Sequence, residues 1–158
     1  MSEPGSRIVK ITLDEASIAR RGPDIDHERA VAVFDLVEQN YFQPRDAGTG
    51  PYHLHLAVVE NKLSLDIRST EEESLVQVEL PLAPFRRLVK DYFTICDSYF
   101  DAVRSAPQSR IEAIDMGRRA LHNEGSELLQ ERLADRLEVD FDTARRLFTL
   151  LCALHLRL

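Results

Sequence analysis

The stretch from residue 54 to residue 67 constrains this chain more than any other, because two alternating apolar runs flank one short polar pair. Leu54, Leu56 and Val58 alternate with polar or smaller residues, and so do Leu63, Leu65 and Ile67. A two-residue turn at Glu60-Asn61 pairs Val58 with Leu63, Leu56 with Leu65 and Leu54 with Ile67, so that all six apolar side chains share one face. Successive strand residues point to opposite faces, and a slip of one position would send that whole set into water. After the acidic loop Glu71-Glu72-Glu73, Val76, Val78 and Leu80 supply a third strand. A further strand is expected from Arg7 to Leu13, with Ile8, Lys10 and Thr12 facing one way and Val9, Ile11 and Leu13 the other. The result is an antiparallel meander with one apolar face that something must cover.

Helices are expected to provide that cover. Asp24 or Asp26 is placed to cap a helix reaching about residue 40, with Ala30, Val31, Phe34 and Val37 as its buried stripe. Pro84 suits the first turn of a helix running to about residue 105. Five of the chain's eleven aromatics (four Tyr, seven Phe) lie on it: Phe85, Tyr92, Phe93, Tyr99 and Phe100, expected to pack on the sheet. Ser109 and Glu112 have the spacing of a capping box for the next helix, which Gly125-Ser126 either ends or bends. Leu128, Leu129, Leu133 and Leu137 continue the helical period beyond that point. Asp140 or Asp142 opens a last helix that is apolar on most sides and therefore central. Segments 19–23 and 43–52 read as loops and residues 1–6 as a disordered tail. No internal repeat is apparent. The expectation is an α+β fold over residues 7–158, a single domain with a small meander of about three or four strands against about four or five helices.

Composition narrows the function. The 158 residues carry 20 basic and 27 acidic side chains, a formal charge of −7, which opposes nucleic-acid or anionic-membrane binding through a broad basic field. Cys96 and Cys152 stand alone in apolar helical patterns, as free thiols in a reducing compartment do. The first residues lack an apolar signal region, and the apolar run 147–156 is too short to span a bilayer. A cytoplasmic location is expected, with no membrane association.

Chemistry concentrates in Asp115-Met-Gly-Arg-Arg-Ala-Leu-His-Asn-Glu-Gly125. At about 100° per residue, Asp115 and His122 lie within about 20° of each other, with Arg118 and Arg119 on the same side. Such a row can hold an anion through Arg118, Arg119 and Asn123, with His122 as a candidate general acid or base beside Asp115 or Glu124. It is also what a solvated face with i, i+3 and i, i+4 ion pairs looks like. Arginine pairs recur at Arg20-Arg21, Arg86-Arg87 and Arg145-Arg146. Arg86 and Arg145 join the candidate anion ligands, because cations near a helix start call for a negative partner. That partner is an internal carboxylate such as Asp140, Asp142 or the Glu71-Glu72-Glu73 loop, the acidic surface of a partner protein, or a bound phosphate-like group. His27, at an acidic helix start, is a further ligand candidate, although the spacing there fits no metal motif. His53 and His55 project from the polar face of the hairpin opposite Arg68 and Asp66, and His155 sits among leucines. No phosphate loop, dinucleotide fingerprint, nucleophile elbow or His-Glu-x-x-His occurs, and no cofactor or metal is expected.

Several long segments are similar to those of a known group of proteins. They are Arg7 to Ser17, the run 24–31, the run 84–93, Ile111 to Ser126 and the run 140–148. On these the chain resembles a small bacterial family catalogued as uncharacterised protein family two hundred and sixty-two. The resemblance spans about residues 7–155 and implies one bacterial domain. It implies no activity, substrate or site residue. The functional expectation therefore rests on the residues alone: a cytoplasmic module, expected to be a homodimer, that binds a partner protein or a small anion through an Arg-rich helix face. The alternative is an enzyme acting on a phosphate-bearing small molecule.

Overall fold

A computed structural model of the protein describes residues 5–18 and 22–155, the side chain of His155 excepted. Arg20-Arg21 and the expected core setting of His155 lie outside the described residues. The four-stranded sheet runs in the order β1 (Ile8–Leu13), β3 (Tyr52–Val59), β4 (Lys62–Arg68), β5 (Ser74–Pro81). Its hairpin has the register that alternation predicts: Val58 faces Leu63, Leu56 faces Leu65, Leu54 faces Ile67. Glu60 and Asn61 both take left-handed backbone angles, φ 49 and 65, which matches the turn to the right-handed twist of the strands. β5 continues the meander, with Leu80 opposite Leu63 and Val78 opposite Leu65.

β1 adds to the edge of β3 in parallel, a direction that periodicity does not encode. A bulge between Ile8 and Lys10 shifts its register, so Ile8 is fully buried while Ile11 and Leu13 also pack on the core. The two-faced reading of this strand is thereby corrected at its first residue. Residues 1–4 of the expected tail are outside the described set, whereas Ser6 is buried and its Oγ donates to Gln43 Oε1 at 2.6 Å.

Four helices complete the fold: α1 (Pro23–Glu38), α2 (Arg86–Ser105, entered through a 3-10 turn at Ala83–Phe85), α3 (Gln108–Leu133) and α4 (Phe141–His155). The apolar sheet face, through Leu56, Leu63, Leu65 and Leu80, meets Leu129 and Leu133 of α3 and Leu147, Leu150, Leu151 and Leu154 of α4. α4 is the central helix, packed by α3 and α1. Each such leucine contributes about 1.5–3 kcal/mol relative to exposure, so this layer dominates the stability.

Several local expectations are corrected. α1 starts on Gly22 and Pro23, leaving Asp24 and Asp26 inside its first turn. Its buried face is Arg29, Ala32 and Leu36, with Val33 alongside, whereas Val31 and Phe34 are exposed. An inward arginine rotates the stripe away from where apolar residues alone would put it. The Arg29 stem packs, and its Nε donates to the Ala153 carbonyl at 3.2 Å. α2 packs mainly against α3, and of the five aromatics from 85 to 100 only Phe85, in the 3-10 turn before the helix, is fully buried, whereas Phe100 is exposed. Pro107 is the N-cap residue of α3 and no side chain caps it, so the Ser109–Glu112 box does not form. Finally, Leu137 leaves the helix and forms β6 (Leu137–Val139), antiparallel to β2 (Phe42–Pro44). Three-residue strands are too short to show a period of two.

Candidate functional site

α3 runs unbroken through Gly125, and the reason is steric. A Cβ at position 125 would lie 2.3 Å from the Phe148 ring, so glycine lets α3 and α4 approach over that buried aromatic. Ser126 holds the same turn by donating from Oγ to the His122 carbonyl at 2.7 Å. This close approach brings two polar stripes together. On α3 the stripe is Asp115, Arg118, Arg119 and His122. On the otherwise apolar α4 it is Asp142, Arg145, Arg146 and Thr149. Both follow Asp-x-x-Arg-Arg-x-x-His/Thr, an i, i+3, i+4, i+7 pattern that keeps all four side chains on one helix face.

The hollow between the stripes has a volume of about 490 Å³ and is lined by Tyr92, Arg118, Arg119, His122, Asp142, Arg145, Arg146 and Thr149. Four guanidinium groups thus line one concavity. Two of them are already matched: Arg118 donates to Asp115 Oδ1 from Nη2 at 2.5 Å and from Nε at 3.1 Å, and Arg119 Nε lies 3.1 Å from Asp115 Oδ2. The Arg118 hydrogen bond and charge, followed by the charge of Arg119, hold the Asp115 carboxyl below its usual range. Arg118 also stacks over Tyr99, its Cζ 5.1 Å from the ring centroid. Arg145 and Arg146 differ. Among the described residues neither makes an ion pair within 4.0 Å or a side-chain hydrogen bond, although Asp142 lines the same space.

The floor is aromatic. Tyr92, His122 and Phe148 meet edge to face, with centroids 5.4 Å, 5.2 Å and 6.1 Å apart pair by pair. His122 Nε2 lies 2.9 Å from Thr149 Oγ1. The Thr149 hydroxyl donates to the Arg145 carbonyl at 3.1 Å, so it accepts from His122, which fixes the proton on Nε2. Burial, reinforced by Arg145 and Arg118, lowers the imidazole pKa to about 4. His122 is therefore neutral near pH 7. Burial also pushes the Tyr92 hydroxyl up to about 12, so it stays protonated near pH 7.

The candidates separate accordingly. Arg118, Arg119, His122 and Arg145 come together. Asp115 serves the two α3 arginines and makes no bond to His122, while Glu124 and Asn123 are exposed and outside the lining. Arg86 lies elsewhere, Nη2 donating to Asn61 Oδ1 at 3.1 Å beside the hairpin turn. Arg87 reaches Asp91 at 3.8 Å. His27 is exposed on α1, on the outward face with Val31 and Phe34. His53 bonds Glu72, which Arg68 also contacts at 3.4 Å, forming a network on the outer sheet face. Among the described residues no group of three or more His, Cys, Asp and Glu side chains is placed to hold a metal ion, and no helix is long and apolar enough to cross a membrane. Tyr92 and Thr149 do not stand out in the sequence as site residues, but the twofold occurrence of Asp-x-x-Arg-Arg is a signal that points to the α4 half.

Residues 5–157 match the model of a family described as Uncharacterised protein family (UPF0262). A UPF0262 protein of Azorhizobium caulinodans is 60% identical over 154 residues, covering 96% of this chain and 95% of the relative. That of Xanthobacter autotrophicus is 58% identical over 155 residues, 98% and 94% of the two chains. A Rhodopseudomonas palustris relative is 57% identical over 153 residues, covering 97% and 94%. No solved structure matches. With a family match over nearly its whole length and relatives of near-equal extent, this chain belongs to the UPF0262 family.

Proposed function

We propose that this protein is a binding module whose ligand is a small anion held in the hollow between α3 and α4. The observation that carries the reading is the convergence of Arg118, Arg119, Arg145 and Arg146 on one concave space, with the α4 pair lacking any carboxylate within ion-pair distance among the described residues. In a chain of net charge −7, internal acids are plentiful, so two arginines left without one at a concave site point to an external anion. The volume of about 490 Å³ is in the range of small-molecule sites, which are roughly 300–1,000 Å³. It favours a compact ligand over a flat protein partner.

His122 works as a clamp in this reading. Neutral and bonded to Thr149, it joins the two helices that carry the arginines. Titration calorimetry with inorganic phosphate and pyrophosphate tests the proposal. Saturable binding that weakens at least about tenfold in Arg145→Gln/Arg146→Gln, equivalent to about 1.4 kcal/mol, supports it. Absence of saturable binding, or equal affinity in the double variant, overturns it.

A further inference from the structure

The two stripes look alike in sequence but are unlike in charge. On α3 a single carboxylate, Asp115, engages both arginines. On α4 the equivalent Asp142 engages neither, although it lines the hollow. Four positive charges therefore meet two carboxylates, leaving a local surplus of two. The other titratable groups facing this space do not alter that balance near neutral pH. Tyr92 from α2 stays protonated and His122 from α3 stays neutral. Arg146 and Asp142 also border a neighbouring hollow with Glu138 and Asp140, where Asp140 Oδ1 accepts from the Thr143 amide at 2.9 Å.

Resting on the anion-binding reading above, we infer that the ligand is a phosphomonoester in its dianionic form, carrying a small organic group. A surplus of two charges matches a dianion better than a carboxylate or a sulfate ester. Guanidinium forks match the oxygens of one compact phosphoryl group, whose charge is concentrated where the arginines converge. Tyr92, which lines the hollow beside Arg118, keeps its own proton for donation to a phosphoryl oxygen. The rest of the volume, bordered by the Tyr92 ring and the Thr149 side chain, is room for the organic part.

The test uses three probes on the full chain by calorimetry at constant ionic strength: phenyl phosphate, phenyl sulfate of nearly the same shape, and glutarate, whose two charges are separated. At pH 8 phenyl phosphate is expected to bind at least about tenfold more tightly than either of the others. Between pH 8 and pH 5.5 its affinity should fall toward that of the sulfate as the phosphoryl group gains its second proton near a pKa of about 6. Phenyl sulfate should change little, because His122 titrates below that window. Equal affinity for phosphate and sulfate esters overturns the dianion inference and leaves the anion site standing. Glutarate binding as tightly as the phosphate overturns the single compact group. Failure of all three to bind removes the anion site itself.

Discussion

Replacing Arg145 and Arg146 together by glutamine should leave the unliganded protein as stable as before or slightly more stable. Residues that bind a missing ligand sit in a field that does not favour them, whereas residues that hold the fold together cost stability when lost. Both arginines face two further guanidinium groups across the hollow, and among the described residues neither has a carboxylate within 4.0 Å. Like-charge neighbours on helix surfaces cost about 0.2–0.5 kcal/mol each. Relieving several such pairs, less the attraction of Asp142, leaves a gain of about 0–1 kcal/mol. For a domain of this size that corresponds to a rise of roughly 0–4 °C in Tm. Glutamine keeps most of the aliphatic stem, so packing losses are small. The assay is urea unfolding and a thermal melt at low salt, repeated at about 0.5 M salt, where screening should remove the gain. Arg87→Gln/Arg110→Gln, exposed positions away from the hollow, changes the net charge equally and serves as control. A loss of more than about 1 kcal/mol relative to that control would show that Arg145 and Arg146 are internally neutralised, and the reasoning fails.

Three further outcomes follow from particular contacts. Gly125→Ala should destabilise by about 1–3 kcal/mol, since the new methyl group would meet the fully buried Phe148 ring at 2.3 Å, more than the roughly 1 kcal/mol gained in helix propensity. Gly117→Ala should be near neutral, because its methyl group meets only the flexible Cδ1 of Ile95, and equal effects in the two variants by urea unfolding would refute the close-approach argument. His122 is neutral in the folded state down to a pKa of about 4, against an ordinary value of 6.5. The unfolded chain therefore takes up this proton first, and stability should decline as pH falls from 6.5 towards 4. Taken whole the difference is about 3 kcal/mol, which solvent at the rim of the hollow reduces to about 1–2 kcal/mol. His122→Gln should flatten the slope over that window, and an unchanged slope would locate the acid lability elsewhere. Glu60→Asn should add about 0.5 kcal/mol at the hairpin turn, since φ 49 suits asparagine better than glutamate, and a loss in the same unfolding assay would contradict the turn geometry.

The sheet was the most legible part of the fold. Strict alternation about Glu60-Asn61 specifies the β3–β4 register, because any other pairing strands six apolar side chains. The parallel docking of β1 was not legible, since direction within a sheet depends on which edge remains open after the hairpin forms. α1 misleads because Arg29 is inside and Phe34 outside. A polar side chain whose stem packs and whose head finds the Ala153 carbonyl reverses what a hydropathy pattern reports. At the candidate site, helical spacing puts Arg118, Arg119 and His122 on one face of α3, and all three line the hollow as one wall. Pairing Asp115 with His122 did not follow, because two guanidiniums compete for that carboxylate and win on charge. The second wall needed tertiary information. Only the α3–α4 approach over Gly125 brings Arg145, Arg146 and Thr149 opposite the first.

If four arginines on two helices share one anion, they must respond to it together. The direct measurement is an NMR titration that follows the side-chain Nε–H signals of Arg118, Arg119, Arg145 and Arg146 as phenyl phosphate is added. All four are expected to shift along one saturating curve with a common midpoint, while Arg86 and Arg87 stay still. Shifts that never saturate, or that spread evenly over every exposed arginine, would contradict it.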